Sequence, residues 1–466
     1  MDLKGKKVLV LGLGETGMSM TRWLTRHGAV VSAADTRSDP PHAAALRREL
    51  PGVALELGEF RAASLRAAEL IAISPGIDRR TPEIAATIER GTPVVGDVEF
   101  FARGLAQHLA LHALRRTPKI LGITGTNGKS TVTCMAGDIC LAAGLDTVVA
   151  GNIGTPVLDA LTAIENGRAA PAVFVLELSS FQLESTASLN ADAATLLNLS
   201  EDHLDRYDGI DGYAAAKARI FNGSGEQVLN RDDARSSALA LPGRGVQRFG
   251  LDAPRGGREW GIVPRKGKTW LARGDKQLMP VDELPVAGLH NAANALAAGA
   301  LCHAIGIDDA PLVAALRAFK GLPHRVEKVA EINGVTFYDD SKGTNVGSTV
   351  AALNGFTQPV VLIAGGDGKG QDFGPLSEPV RRRARAVVLI GRDREQIAAA
   401  IAGSGVPVKR AGDMDEAVRL ALAASRSGDA VLLSPACASY DMFSNYGHRG
   451  EVFAAAVRKR VPRGGP

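Results

Sequence analysis

Lys119-Ile120-Leu121-Gly122-Ile123-Thr124-Gly125-Thr126-Asn127-Gly128-Lys129-Ser130-Thr131 decides how the rest of the 466-residue chain is read. A β-prone apolar run enters a glycine turn and leaves it as a helix. Glycines let the backbone curl until several N–H groups converge, the helix adds its positive N-terminal end, and Lys129 reaches outward to phosphate. Such a loop holds a nucleoside triphosphate, with Ser130 placed to ligate Mg²⁺. The order departs from the common G-x-x-x-x-G-K-[ST] pattern, whose first glycine falls at Ile123; the shorter Gly125-x-x-Gly128-Lys129-Ser130 remains. Val132, Met135, Ala136, Ile139, Cys140 and Ala143 share one helical face, and Gly144 is placed to end that helix. On local grounds the competing reading is a plain glycine turn between strand and helix.

A chain of this length divides into about three domains of ordinary size. Its 45% hydrophobic and 22% charged content is that of a soluble globular protein. No apolar run reaches the ~18 residues that a membrane span needs. Lys4, Lys6 and Lys7 precede Val8-Leu9-Val10-Leu11 as in a secretion signal, but glycines break the run at once, so a first strand and a cytoplasmic protein are expected. The four cysteines, Cys134, Cys140, Cys302 and Cys437, lack C-x-x-C spacing and lie in apolar segments, as buried free thiols do. A net charge of +4 is too small and dispersed for nucleic acid. Arg381-Arg382-Arg383 and Arg458-Lys459-Arg460 read as solvated faces.

Outward to the amino terminus, Val8–Leu11 runs into Gly12-x-Gly14-x-x-Gly17 and a helix from Met18 to His27, and Asp35 ends a second strand, Ala29 to Ala34. Alone this is a dinucleotide fingerprint, with an acid about 20 positions after the glycines to bind a ribose. Leu70–Ile73 ends at Ser74-Pro75-Gly76 and Val94-Val95 ends at Gly96-Asp97, strand ends of the kind that face a ligand crevice. A helical stretch from Phe100 to Thr117 reaches Pro118, a boundary. His108 and His112 within it have a zinc-type spacing but no third ligand, so a surface or packing role is expected.

Downstream of the phosphate loop, Gly151-Asn152-Ile153-Gly154 precedes a strand, Ala172 to Leu176, that delivers Glu177. A carboxylate there is placed to bind Mg²⁺, with a polar strand terminus as the bland alternative. Leu196–Leu199 ends another strand at Ser200-Glu201-Asp202-His203-Leu204-Asp205, a cluster rich in oxygen and imidazole ligands. Tyr213 to Ile220 reads as helix, in which Lys217 is by sequence alone an ordinary surface lysine. Arg248 to Pro280 reads as a hairpin excursion. Gly288 to Asn294 opens a helix, Ala295 to Ile305, with His290 or Asn291 as N-cap or as a contact to an adenine.

Gly321-Leu322-Pro323-His324-Arg325 marks the next boundary. A third α/β unit starts at Val335 to Tyr338 and carries the turns Asp339–Asn345, Gly365–Gly370, Gly391–Asp393 and Ser434–Asp441. These repeated strand-to-polar-turn junctions give it a ligand edge as well, without saying for which ligand. The expected fold is α/β in three domains: a Rossmann-like unit over residues 1–117, a central P-loop-type ATPase domain over 118–321 and a Rossmann-like unit over 322–466.

In sequence order, T-G-T-N-G-K-S-T at Thr124–Thr131, G-N-I-G at Gly151–Gly154, E-L-S-S-F-Q-L at Glu177–Leu183 and N-L-S-E-D-H-L-D-R-Y at Asn198–Tyr207 are followed by three more segments. These are G-L-P-H-R at Gly321–Arg325, D-S-K-G-T-N-V-G-S-T at Asp340–Thr349 and L-S-P-A-C-A-S at Leu433–Ser439. With this series the chain resembles the Mur ligases of peptidoglycan synthesis over nearly its whole length, and within them the members that add D-glutamate. Jointly these motifs are far more specific than either glycine loop.

The resemblance implies an ATP-dependent ligase that joins D-glutamate to UDP-N-acetylmuramoyl-L-alanine through an acyl phosphate. It places the UDP-sugar at Gly14, Thr16, Gly17, Asp35, Thr36, Ser74 and Asn152. Glu15 is a departure that the diphosphate would tolerate only if its carboxylate points outward. ATP falls to Gly125–Thr131 together with Asn291, Asn294, Arg325 and Asp340. Two Mg²⁺ sites are implied, Ser130 and Glu177 at the first, His203 and Lys217 at the second, with Lys217 N-carboxylated. Lys129, Glu177, His203 and Lys217 form the implied catalytic set. Thr344, Lys369, Ser439 and Tyr446 match the cradle for glutamate, with Tyr446 in place of a phenylalanine. A monomer is expected.

Three rivals remain at this stage. Folylpolyglutamate synthetase shares the ATP logic but does not need the Gly12–Gly17 unit. An NAD-dependent oxidoreductase leaves the second phosphate loop unexplained. A scaffold without catalysis would tolerate loss of Glu177, His203 and Lys217, and all three are present.

Overall fold

The computed structural model describes residues 2–112, 117–286 and 288–461, which alternate strands and helices and sort into three sheets. The first sheet is parallel, in the order Ala54–Leu57, Val30–Asp35, Lys7–Leu11, Leu70–Ile73, Val94–Val95. Its central strand is covered on both faces, which is why V-L-V-L runs without alternation. The strand order reverses beside Lys7–Leu11, so the Gly12–Gly17 turn sits at a switch point. A Cβ on Gly17 would lie 1.8 Å from the Gly12 carbonyl oxygen, so only glycine lets the helix Glu15–Arg26 start this close to the strand.

The second sheet has nine strands around Lys119–Thr124, which pairs in parallel with Val173–Glu177 on one side and Ala193–Leu196 on the other. The segment expected to be a hairpin excursion does form hairpins, and they make up the far edge of this sheet. Glu259–Arg265, Lys268–Arg273 and Lys276–Pro280 pair antiparallel and join it through Val246–Phe249. Trp260, Leu271 and Met279 are fully buried in the core that also holds the helix Leu289–Ala304, and this burial is what anchors the hairpins.

The third sheet runs Glu327–Ile332, Val335–Asp339, Ala430–Leu433, Val360–Gly365, Ala384–Ile390, Val408–Arg410. Only its first strand is antiparallel. That strand, E-K-V-A-E-I, precedes the expected start at Val335; as a charged, exposed edge it lacks the apolar run that marks the others.

One apolar cluster joins the first two sheets: Trp23, Phe100 and Phe101 pack with Leu161, Phe174 and Leu183, and the Phe101 and Phe174 rings meet edge-on at 5.2 Å. The third sheet has clusters of its own. The helix expected from Phe100 to Thr117 is Asp97–His112, and residues 113–116 lie outside the described ones. His108 and His112 stack on each other at 4.2 Å, a surface pairing. Cys140, Cys302 and Cys437 are buried free thiols, and Cys134 is partly exposed. Gly288, at φ +96°, is the N-cap of Leu289–Ala304, so His290 and Asn291 lie in the first turn and not at the cap.

Candidate active site

Two clefts open on the central domain. The first lies between the amino-terminal and central sheets, and all seven residues matched to the UDP-sugar line it: Gly14, Thr16, Gly17, Asp35, Thr36, Ser74 and Asn152. Ser74 Oγ donates to the Gly12 carbonyl at 2.9 Å and fixes the turn. Asp35 is 1% exposed and accepts from the Leu13 amide at 2.7 Å and from Arg37 Nη2 at 2.6 Å. Burial acts to raise its pKa, but the Arg37 guanidinium and the amides outweigh that and hold it low. Glu15 lies at the rim with its side chain 79% exposed and 3.2 Å from His42, so its carboxylate does point outward.

The second cleft lies between the central and third sheets. Asn127, Gly128, Thr131, Asn291, Asn294, Arg325 and Asp340 line it, and Phe249, Val286 and Phe319 give it an apolar wall. Its floor is the loop Gly125–Gly128, where Gly125 and Gly128 have φ of +146° and +85°. Asn198 clamps this loop, accepting from Asn127 N at 2.9 Å and donating to Asn127 O at 3.0 Å. Lys129 Nζ curls back onto the Gly125 and Thr126 carbonyls at 2.7 and 2.8 Å. Ser130 Oγ accepts from Arg325 Nη2 at 2.8 Å, and Thr126 Oγ1 donates to the Ser200 carbonyl at 3.2 Å. Asn294 Nδ2 donates to Asn291 Oδ1 at 3.1 Å, and its own oxygen stands 2.6 Å from where a Gly128 Cβ would be.

Asn152 links the first cleft to Glu177, which pairs with Ile123 on the strand that enters the phosphate loop. It lines that cleft, and its Nδ2 donates to Glu177 Oε1 at 2.7 Å. Glu177 is 1% exposed and its Oε2 has no hydrogen-bond partner among the described residues. An orphaned carboxylate oxygen this deep, with the Ser130 hydroxyl on the neighbouring loop, fits a hard divalent cation.

Lys217, a surface lysine by sequence alone, is 1% exposed. Its Nζ donates to the Gly125 carbonyl at 2.9 Å and lies over the Tyr213 ring at 4.6 Å. Burial first, and Lys129 second, push its pKa well below the ordinary lysine range. Only the resemblance singled it out, because the helix Gly209–Ala218 has small residues on every side and no apolar stripe to show which face is inward. His203 has a left-handed backbone (φ +55°) and packs edge-on against Phe181 at 4.7 Å. Burial lowers its pKa, against the pull of Asp202.

In the third domain, Lys369 is also left-handed, at φ +52°, and its Nζ reaches Asp202 Oδ1 at 3.2 Å. Ser439 is buried, and the bridge from Asp367 to Ala438 brings its loop beside that of Lys369. Thr344 follows Lys342, whose carbonyl accepts the Thr344 amide at 2.8 Å. Tyr446 is 37% exposed, stacks over Lys342 Nζ at 3.8 Å, and accepts from Ser341 Oγ through its backbone carbonyl. Sequence reasoning passed over Lys342 and Ser348, which also line the second cleft. Lys342 stood inside D-S-K-G-T-N, where a lysine amid turn residues was a readable signal; burial lowers its pKa to about 8. Asp340 is raised to about 7 by burial, against the bond from Ser434. The His, Cys, Asp and Glu groups that converge to metal-binding distance among the described residues are His324, Glu327 and Asp339, none of which belongs to the expected metal set. His324 Nδ1 and Asp339 already bond each other there at 2.7 Å.

Comparison with known proteins agrees with this division. The Mur ligase MurD-like N-terminal domain matches residues 6–96, the Mur ligase middle domain 123–302 and the Mur ligase glutamate ligase domain 324–437. The UDP-N-acetylmuramoylalanine--D-glutamate ligase of Methylobacillus flagellatus is 58% identical over 98% of this chain and 98% of its own. That of Thiobacillus denitrificans is 58% identical over 98% and 97%. Among solved structures, MurF from Acinetobacter baumannii superposes with a TM-score of 0.60 at 18% identity, over 98% of this chain and 91% of its own, which speaks for the fold alone. With relatives this similar from end to end, the chain belongs to the Mur ligase family.

Proposed function

We propose that the chain is the ATP-dependent ligase that adds D-glutamate to UDP-N-acetylmuramoyl-L-alanine in peptidoglycan precursor synthesis. The observation that carries this reading is the Asn152–Glu177 hydrogen bond of 2.7 Å, which joins the nucleotide-sugar cleft to the strand end beside the one that enters the phosphate loop. A carboxylate entering from the first cleft would meet the γ-phosphate held in the second. Its oxygen attacks phosphorus, ADP leaves, and the glutamate amine then attacks the acyl carbon, losing a proton as inorganic phosphate departs.

Each residue has a physical task in that sequence. The Gly125–Thr131 amides and Lys129 cradle the phosphates, and Arg325, beside Ser130, adds a second positive charge. Glu177 and Ser130 would hold Mg²⁺, whose charge would neutralise the phosphate oxygens as two anions approach. Burial lowers the Lys217 pKa and so eases release of the proton that its amine must lose before it can add carbon dioxide; as a carbamate it would join His203 at a second cation. Asn291, Asn294 and Asp340 would hold the adenosine end of ATP. Thr344, Lys369, Ser439 and Tyr446 would hold the glutamate carboxylates.

The domain limits 1–117, 118–321 and 322–466 belong to this reading, supported by the three sheets and the three family matches. A monomer that works in the cytoplasm belongs to this reading as well. No helix among the described residues is long and apolar enough to cross a membrane.

The test is phosphate release from ATP and Mg²⁺ with UDP-N-acetylmuramoyl-L-alanine, comparing D-glutamate, L-glutamate and no amino acid. Release that needs the nucleotide sugar and D-glutamate is the expected result. Dependence on L-glutamate would overturn the substrate, and silence in every mixture would overturn the reaction.

A further inference from the structure

Asp202 is a carboxylate of the central domain, 7% exposed, with partners on both sides of the second cleft. Its Oδ1 accepts from the His203 amide at 3.0 Å and from Lys369 Nζ at 3.2 Å. Its Oδ2 lies 3.4 Å from Asn345 Nδ2. Asn345 in turn donates to Asn127 Oδ1 in the phosphate loop at 3.1 Å. A continuous line of polar contacts thus runs from the phosphate loop through Asn345 and Asp202 to Lys369.

Lys369 is otherwise hard to hold in place. It sits in the glycine-rich turn Gly365–Gly370 in a left-handed conformation that favours glycine, with its amide on Asp367 Oδ1 at 3.0 Å. A lysine stem has four rotatable bonds, and an ammonium on it stays in one place only if something grips it. Asp202 uses one of its three N–H donors; the other two have no acceptor among the described residues.

We propose that Asp202 is the positioning residue of the amino-acid site: it grips the Lys369 ammonium across the domain boundary and aims its two remaining donors at a carboxylate of the incoming amino acid. The inference rests on the assignment of Lys369 to the glutamate cradle. Because the grip comes from another domain, the cradle is complete only where the third domain is seated on the central one.

The test is steady-state kinetics of the full-length enzyme and of Asp202→Asn, Asp202→Glu and Lys369→Met, with thermal melts of each. Asparagine keeps an acceptor for the His203 amide but loses the charge. Asp202→Asn should raise the KM for glutamate about tenfold, as loss of a part-buried ion pair does. The KM values for ATP and the nucleotide sugar should stay unchanged, and Asp202→Glu should recover most of the loss. An unchanged glutamate KM in Asp202→Asn, or an equal rise in all three KM values, would overturn the proposal provided Lys369→Met raises the glutamate KM. If Lys369→Met leaves that KM unchanged, the cradle assignment itself falls, and the inference with it.

Discussion

Replacing Arg449 with methionine should weaken the third domain more than any other single change at its ligand edge. The guanidinium is 0% exposed and donates to Ser341 Oγ at 2.9 Å, the Ser341 carbonyl at 2.7 Å and the Cys437 carbonyl at 3.0 Å. Burial lowers its pKa to about 10, so it is still charged at neutral pH. Arg449→Met removes all three bonds and leaves two buried carbonyls without this donor, at roughly 1–3 kcal/mol for each. Methionine fills much of the volume and ends the burial of a charge, which offsets part of the loss. A net destabilisation of about 3–4 kcal/mol follows, or a fall of about 10 °C in the melting point of a domain of this size. The assay is a thermal melt read alongside amide exchange in the strand Val360–Gly365, since a chain of several domains does not melt in one step. Arg449→Lys, with one ammonium for three acceptors, should fall between. A shift below about 2 °C in Arg449→Met would refute the reasoning, because apolar packing would then serve as well as the bonds.

Glu177→Gln keeps an acceptor for Asn152 but replaces the orphaned oxygen with an amide, so the Mg²⁺ needed for half-maximal activity should rise roughly tenfold or more; an unchanged Mg²⁺ titration would remove Glu177 from the cation site. Lys217→Met takes away a buried amine that has no carboxylate within ion-pair distance among the described residues. It should melt no lower than the parent while activity drops by about 100-fold or more, and the parent's own activity should fall when carbon dioxide is purged; a destabilised but active variant would contradict both points. Asp340 binds its proton more tightly folded (pKa about 7) than unfolded (near 3.8), so stability is full below the lower value and declines as pH rises toward the upper one. Asp340→Asn should flatten that decline, by up to about 1.4 kcal/mol per pH unit, in urea titrations across pH 4–7. An equally steep decline in the variant would show that another group is responsible.

How far the sequence could be read depended on where each residue keeps its information. Val8–Leu11, Lys119–Leu121, Leu70–Ile73 and Ala430–Leu433 are apolar runs that end in glycine or serine turns. Such a pattern marks a buried parallel strand and the crevice beyond it. The phosphate loop was legible for the same reason, whereas the seven residues of the first cleft were gathered by the family resemblance, and the structure brings them to one cleft. What stayed hidden was set by tertiary packing. Glu327–Ile332 carries alternating charge and gains its place only by pairing with Val335–Asp339. The Arg248–Pro280 stretch looked peripheral because its anchors, Trp260, Leu271 and Met279, are single residues spaced through polar sequence. Lys217 and Arg449 gave no hint of burial, because a charged residue is buried only where another part of the chain supplies acceptors. His290 and Asn291 lost the capping position to Gly288, whose positive φ suits the turn that neither could adopt as readily.

The apolar cluster shared by the first two sheets also bears on how the chain acquires its shape. Trp23, Phe100 and Phe101 find their packing partners in Leu161, Phe174 and Leu183, which leave the ribosome many residues later. The amino-terminal sheet is therefore synthesised before its own interior can be completed, and for that interval it presents a greasy flank to the cell. A fragment ending near residue 112 should be sticky and prone to aggregate, whereas one that continues through the central sheet should be well behaved. The third sheet carries its own interior and should tolerate being produced separately.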